Sequence, residues 1–153
     1  MKNARIVVGV DGSEQSAKAL GWALREARDH GGSVRAIHAW GAPAIDVTPS
    51  SLGVGIGPVA PVPYEEIRGA FEQQARQLLD AVVAAALAEV GGKVHVDREL
   101  VEEQAAAALT EAAKNADLLV VGTRGLGGFK ELLLGSVSHQ CVLHAPCPVV
   151  VIR

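Results

Sequence analysis

A glycine-rich segment in the last third of the chain carries the residues best suited to bind an anion. Residues 117–122 form an apolar run typical of a buried strand, and Gly122 and Gly125 lie at its end. Glycines there let backbone N–H groups face an anion without a side chain in the way. Gly135 and Ser136 then open a predicted helix, whose free N–H groups and dipole favour phosphate. The segment predicts phosphate binding; the alternative is a loop that needs glycine only for tight turns.

The spacing differs from two common phosphate-binding motifs. A Walker A loop is excluded because no Gly-Lys-Ser or Gly-Lys-Thr follows. The run is not G-x-G-x-x-G either, which excludes the dinucleotide fingerprint.

The segment resembles the nucleotide-binding branch of the universal stress protein family. The pattern of that branch is Gly, two residues, Gly, nine residues, and then Gly-Ser or Gly-Thr. Here residues 123–124 separate Gly122 from Gly125, residues 126–134 supply the nine, and Gly135-Ser136 completes the pattern. The resemblance extends to residues 6–13 and 137–149. It departs at residues 103–105, where many members carry Gly-x-Pro and this chain has Glu-Gln-Ala.

The resemblance implies a site for ATP or another adenine nucleotide, with any Mg²⁺ carried by its phosphates. Asp11 would lie near the ribose and adenine, and the backbone at Ala39 would meet the adenine. Ser136 and Val137 would donate hydrogen bonds to phosphate. The residues implied as nucleotide-binding are Gly9, Asp11, Ala39, Val121, Gly122, Thr123, Arg124, Gly125, Leu126, Gly127, Gly128, Gly135, Ser136 and Val137. Neither a catalytic residue nor a protein-bound metal is implied.

Strand and helix patterns alternate along the whole chain, and they must position these residues. Apolar runs predict strands at 5–10, 34–40, 94–100, 117–122 and 148–152. Helical spacing predicts helices after Ser13, from 65 to about 90, over 103–115 and over 136–144. The stripe of the second helix is predicted to include Ile67, Phe71, Leu78, Val82 and Leu87. The alternation predicts an α/β fold, one domain over residues 1–153, with a five-stranded parallel sheet and helices on both faces. The family resemblance implies the same Rossmann-like, adenine nucleotide alpha hydrolase-like architecture.

Residues 41–63 are rich in glycine and proline and show no periodicity. A loop of this length within a compact domain is usually functional or mobile. We expect it to be mobile without ligand and partly ordered beside a bound adenine.

Other residues suggest chemistry that the pattern does not favour. Asp11 is a possible phosphoacceptor, but Gly12 and Ser13 stand where a second acidic residue would be needed; capping the first helix is its simpler role. The set His139, Cys141, His144 and Cys147 suggests zinc, yet positions 139 and 141 of a helix point about 200° apart, and Cys147 between two prolines is expected to be packed. Arg124 either neutralises phosphate or is a solvated cation. His38 is expected to be a hydrogen-bonded core residue, and the pattern provides no pair of nucleophile and base.

The charge and composition exclude several classes of function. The 153 residues carry a net charge of −3, which gives no electrostatic basis for binding nucleic acid or a membrane surface. No apolar run approaches the ~20 residues that span a bilayer, and residues 1–5 lack the apolar stretch of a signal peptide. We expect a cytoplasmic protein.

Three functions remain, in order of preference. The first is a nucleotide-dependent sensor or regulator of stress physiology that binds ATP. The second is a weak Mg-dependent ATPase, disfavoured because the pattern supplies no general base. The third is a nucleotide-free dimeric interaction module, which the complete glycine pattern argues against. For any of them the apolar strand at 148–152, uncharged until Arg153, predicts a homodimer through this strand.

Overall fold

The computed structural model describes residues 2–41, 63–125 and 134–153. Nine helices and strands lie in these ranges, in the predicted alternating order. They are β1 (Arg5–Gly9), α1 (Glu14–His30), β2 (Ser33–Ala39), α2 (Tyr64–Val90), β3 (His95–Val101), α3 (Ala105–Ala113), β4 (Leu118–Gly122), α4 (Ser136–His144) and β5 (Val149–Ile152). The bounds differ from prediction by one or two residues. Predictions that concern residues 42–62 and 126–133, among them Leu126, Gly127 and Gly128, lie outside the described residues.

The five strands form one parallel sheet in the order β3-β2-β1-β4-β5. This confirms the predicted α/β fold. Side chains of α1 and α2, such as Leu24 and Leu79, pack on one face against Ile6 and Val8 of β1. The opposite face carries α3 and α4 against Val7. Both faces of the central strands are therefore buried, which explains their continuous apolar runs. No helix of the described residues combines the length and apolar character needed to cross a membrane.

The ends of α1 are set by local chemistry that the sequence predicts. The hydroxyl of Ser13 accepts a hydrogen bond of 3.1 Å from the Ser16 N–H and caps the first turn. At the other end Gly31 adopts a left-handed conformation, with φ of 72°, and its N–H bonds the carbonyl of Ala27. These caps fix where α1 begins, directly after β1.

The predicted apolar stripe of α2 is confirmed in part, and its most buried line runs beside it. The buried side chains are Ala75, Leu79, Val83 and Ala86, whereas Phe71 is exposed. The predicted Leu78, Val82 and Leu87 are partly buried and flank this line. The buried line begins and ends with alanine, and larger apolar side chains lie on either side of it. Hydrophobicity alone favours the larger residues, which is why the pattern selected them.

Candidate functional site

The carboxyl ends of β1 and β4 border a cavity of about 410 Å³. These strands are neighbours in the sheet, and the chain leads from β1 to β2 on one side and from β4 to β5 on the other. Such a topological switch point opens a crevice between the connections, where open parallel sheets bind ligands. The volume is in the usual range for small-molecule sites.

Ten of the fourteen predicted site residues line this cavity. They are Gly9, Asp11, Ala39, Val121, Gly122, Arg124, Gly125, Gly135, Ser136 and Val137. Thr123 is buried behind the lining, and the remaining three lie outside the described residues. The structure therefore brings together residues from four separate parts of the chain.

Six further lining residues were not predicted. They are Val10, Ser16, Ile37, Ala105, Leu109 and Ser138. Ile37 lies two positions before Ala39, so strand alternation could have placed it on the same face. Ala105 and Leu109 belong to a helix that resembles ordinary core packing in sequence, and no local pattern marks them as part of a site.

Two of the glycines allow helices to approach the strand ends. A Cβ on Gly9 would lie 2.8 Å from a methyl group of Leu109 in α3. A Cβ on Gly122 would lie 2.9 Å from the backbone of Gln15 in α1. The contact at Gly122 is with backbone, so glycine is needed there for α1 to approach, whereas at Gly9 the end of the Leu109 side chain would have to shift.

Asp11 stabilises the start of α1 through Ser13, and it also lines the cavity. Its Oδ1 accepts hydrogen bonds from the N–H of Ser13, at 2.9 Å, and from the Ser13 hydroxyl, at 2.6 Å. A Cβ on Gly125 would contact Oδ2 of the same carboxylate. The two interpretations of Asp11, helix cap and site residue, are thus compatible in one geometry.

The two ends of the glycine-rich segment meet at the carbonyl of Thr123. This oxygen accepts hydrogen bonds from the Gly135 N–H, at 2.6 Å, and from the Ser138 hydroxyl, at 2.9 Å. Gly135 is the N-cap of α4 and provides no side-chain cap. The first N–H groups of α4 therefore lack an intrahelical partner at the cavity wall, beside Ser136 and Val137.

One cation and one carboxylate, those of Arg124 and Asp11, are the charged groups among the described lining residues. The remaining wall near β2 is apolar, with Ile37, Ala39, Ala105 and Leu109. The site thus combines an apolar end with an end rich in N–H donors.

The chain directly after Ala39 is held in place by a backbone hydrogen bond, a cation–π contact and an ion pair. The N–H of Trp40 donates to the Val101 carbonyl at 2.9 Å, which extends the pairing of β2 with β3. The Arg68 guanidinium lies 5.5 Å from the centre of the Trp40 ring and bonds both carboxylate oxygens of Glu102. Arg68 of α2 therefore contacts both Trp40, which follows Ala39, and Glu102, which precedes α3.

The other candidates for chemistry have structural roles. His38 Nδ1 lies 2.7 Å from the Val10 carbonyl, which can only accept, so this nitrogen donates. Cys141 is fully buried, and burial raises the pKa of its thiol to about 11. In the parts of the chain that the structure describes, no three His, Cys, Asp or Glu side chains are grouped to hold a metal ion.

Comparison with known proteins decides the family. The model of the universal stress protein family matches residues 2–153. A universal stress protein of Bacillus subtilis is 35% identical over 151 residues, which cover 97% of this chain and 98% of that protein. The chain belongs to the universal stress protein family.

Some relatives are longer than this chain. A universal stress protein of Mycolicibacterium smegmatis is 37% identical over 148 residues, which cover 97% of this chain and 47% of the relative. The chain thus spans about half the length of that universal stress protein and almost the full length of the Bacillus protein.

Solved structures of universal stress proteins share the fold. The one from Archaeoglobus fulgidus in complex with dAMP covers 100% of both chains, with a TM-score of 0.64 and 22% identity. The one from Arabidopsis thaliana with AMP bound covers 97% of this chain and 90% of its own, with a TM-score of 0.61 and 22% identity. Both of these universal stress proteins hold an adenine nucleotide.

Proposed function

We propose that this universal stress protein binds an adenine nucleotide, with ATP as the first candidate, in the cavity between β1 and β4. Binding would make it a nucleotide-dependent sensor or regulator in the stress response. The observation that carries the proposal is the uncapped start of α4, which lies beside Gly125 and Arg124 at a switch-point cavity. The AMP and dAMP complexes of the two structural neighbours support the choice of an adenine nucleotide.

The phosphates would bind at the start of α4. The N–H groups of Ser136 and Val137 and the positive end of the helix dipole favour an anion there. Arg124 adds a positive charge on the facing wall. This arrangement would give a partner to N–H groups that have none within the helix.

The base would bind against the apolar wall, and the ribose would bind near Asp11. Ile37, Ala39 and Leu109 offer carbon surface to a flat ring. The Asp11 carboxylate is oriented by Ser13 and can accept hydrogen bonds from ribose hydroxyls. A carboxylate beside the phosphates would be repelled, so the ribose is the part of the ligand that suits this position.

Hydrolysis would be slow at most. Among the described lining residues, Asp11 is the one carboxylate, and no imidazole is present. Both donors of Ser13 already hydrogen-bond this carboxylate, which ties it to the start of α1. We therefore propose a binding protein in which any Mg²⁺ is carried by the phosphates.

We also propose that the protein forms a homodimer through β5. Its four residues are apolar and only partly buried, and within the described chain this strand pairs only with β4. Val142 and Leu143 of α4, which contacts β5, are 47% and 59% exposed. A second copy would cover this apolar surface. A cytoplasmic location, without nucleic acid or membrane as a partner, stays a prediction.

Two measurements on the purified protein test nucleotide binding. Mass spectrometry of small molecules released from fresh protein should detect an adenine nucleotide. Calorimetric titration with ATP, after removal of any bound ligand, should give a saturable heat with one site per chain. Absence of a released nucleotide, together with no heat from ATP, AMP or cyclic AMP, would favour the nucleotide-free interaction module instead.

A further inference from the structure

Ser138 makes a hydrogen bond that its place in α4 does not require. It is the third residue of the helix and is 3% exposed. Its hydroxyl lies 3.0 Å from the carbonyl of Gly135, a local contact common for serine in helices. It also lies 2.9 Å from the carbonyl of Thr123, which is 15 residues away in the chain. The second contact links α4 to the end of β4.

The Ser138 hydroxyl therefore lies between two carbonyls, one at each end of the glycine-rich segment, and its single proton bridges them by alternating between the two. The Thr123 carbonyl also accepts from the Gly135 N–H, and the Gly135 carbonyl also accepts from the His139 N–H, at 2.9 Å. Both carbonyls thus point toward the body of α4, where each has one backbone donor and the Ser138 hydroxyl donates to one of the two at a time.

Fixing a carbonyl also fixes the next N–H group. In a trans peptide the C=O and N–H point in opposite directions, and the described residues contain no cis peptide bond. The N–H of Arg124 is thereby directed away from the Thr123 carbonyl, and the N–H of Ser136 away from the Gly135 carbonyl. Both Arg124 and Ser136 line the cavity.

We propose that Ser138 is a positioning residue of the nucleotide site, whose hydroxyl directs the N–H groups of Arg124 and Ser136 toward the phosphates. It also keeps the carbonyls of Thr123 and Gly135 turned from the anion, which their negative oxygens would repel. This role rests on the proposed function and adds a residue that does not itself need to touch the ligand.

The test compares Ser138→Ala with the wild type, using ATP as the probe. In ¹⁵N-labelled wild type, ATP should move the amide proton signals of Arg124 and Ser136 downfield. In Ser138→Ala these shifts should shrink, and calorimetry should show an affinity about three- to tenfold weaker, as expected for one hydrogen bond. The variant should fold, because both carbonyls keep their backbone donor.

Two further variants separate positioning from general packing. Ser138→Cys keeps the shape with a weaker donor, so its affinity should lie between those of the wild type and Ser138→Ala. Thr110→Val removes a similar bond, from the Thr110 hydroxyl to the Ala106 carbonyl at 2.7 Å, which stays within α3. This control should bind ATP like the wild type.

The outcomes distinguish the two proposals. If the wild type does not bind ATP, the proposed function fails. If the wild type binds ATP but Ser138→Ala binds equally well, the positioning role alone is wrong. The role is also wrong if ATP leaves the amide signals of Arg124 and Ser136 in place.

Discussion

At the scale of single residues, the contact between Gly125 and Asp11 joins the glycine-rich segment to the end of β1. A side chain on Gly125 would meet the Asp11 carboxylate, which Ser13 already holds by two hydrogen bonds. We expect Gly125→Val to weaken ATP binding about tenfold or more, or at least 1.4 kcal/mol. Folding should change less, because the affected groups lie at the cavity wall. Calorimetric titration and thermal unfolding of both proteins provide the comparison.

Gly41→Ala is the matched control for this substitution. Among the described residues, a Cβ at Gly41 would have no atom within 4 Å beyond its chain neighbours, so neither affinity nor unfolding temperature should change appreciably. A folded Gly125→Val protein with the affinity of the wild type would remove Gly125 from the proposed site.

At the scale of elements, the buried line of α2 makes a stability prediction that the sequence alone would misplace. Leu79 is 2% exposed, whereas Phe71 is 37% exposed. Leu79→Ala should lower the free energy of unfolding by about 2–5 kcal/mol, because it leaves a cavity in the core. Phe71→Ala should lower it by less than about 1 kcal/mol. Urea unfolding at one fixed protein concentration measures both.

The comparison within α2 is decisive because both residues lie on the same helix and both changes remove a large apolar side chain. If Phe71→Ala lowered the free energy of unfolding more than Leu79→Ala, the stripe predicted from hydrophobicity would be the correct buried face. Similar losses would mean that the first turns of α2 pack more tightly than the exposure of Phe71 indicates.

At the scale of the whole molecule, the two edges of the sheet differ in chemistry. β3 carries His95, Asp97 and Glu99 at alternating positions, which discourages pairing with another strand. β5 carries only Val and Ile. These side chains are already partly buried, so covering the rest of their surface would contribute a fraction of the roughly 1.5–3 kcal/mol that complete burial of each is worth. Light scattering coupled to gel filtration should therefore give twice the 15.8 kDa of one chain.

A charge placed on β5 should dissociate this dimer. Val150→Glu is expected to shift the mass toward the monomer, because the carboxylate would be buried in the interface without a partner. Circular dichroism checks that the variant is folded. Asp97→Lys, a charge change on β3, is the control and should leave the mass unchanged. A monodisperse wild-type monomer at micromolar concentration would contradict the proposed dimer.

Much of the architecture was predictable because it depends on local patterns. The alternation of apolar runs with helical spacing predicted all nine elements, and Ser13 and Gly31 marked the ends of α1 through their capping chemistry. The exact buried line of α2 was not predictable, because hydrophobicity does not distinguish the buried Ala75 and Ala86 from the exposed alanines of the same helix. The periodicity of one helix does not show which of its alanines a neighbouring element will cover.

The sequence by itself determined the fold class and the spacing of glycines that line a cavity, since both follow from short-range patterns in the chain. Only the tertiary structure decided that Ala105 and Leu109 complete the apolar wall and that Ser138 links the ends of the glycine-rich segment. These residues look like ordinary helix positions in sequence. Their roles arise from contacts with β1 and β4, and those contacts exist only once the parallel sheet has brought distant segments to the same edge.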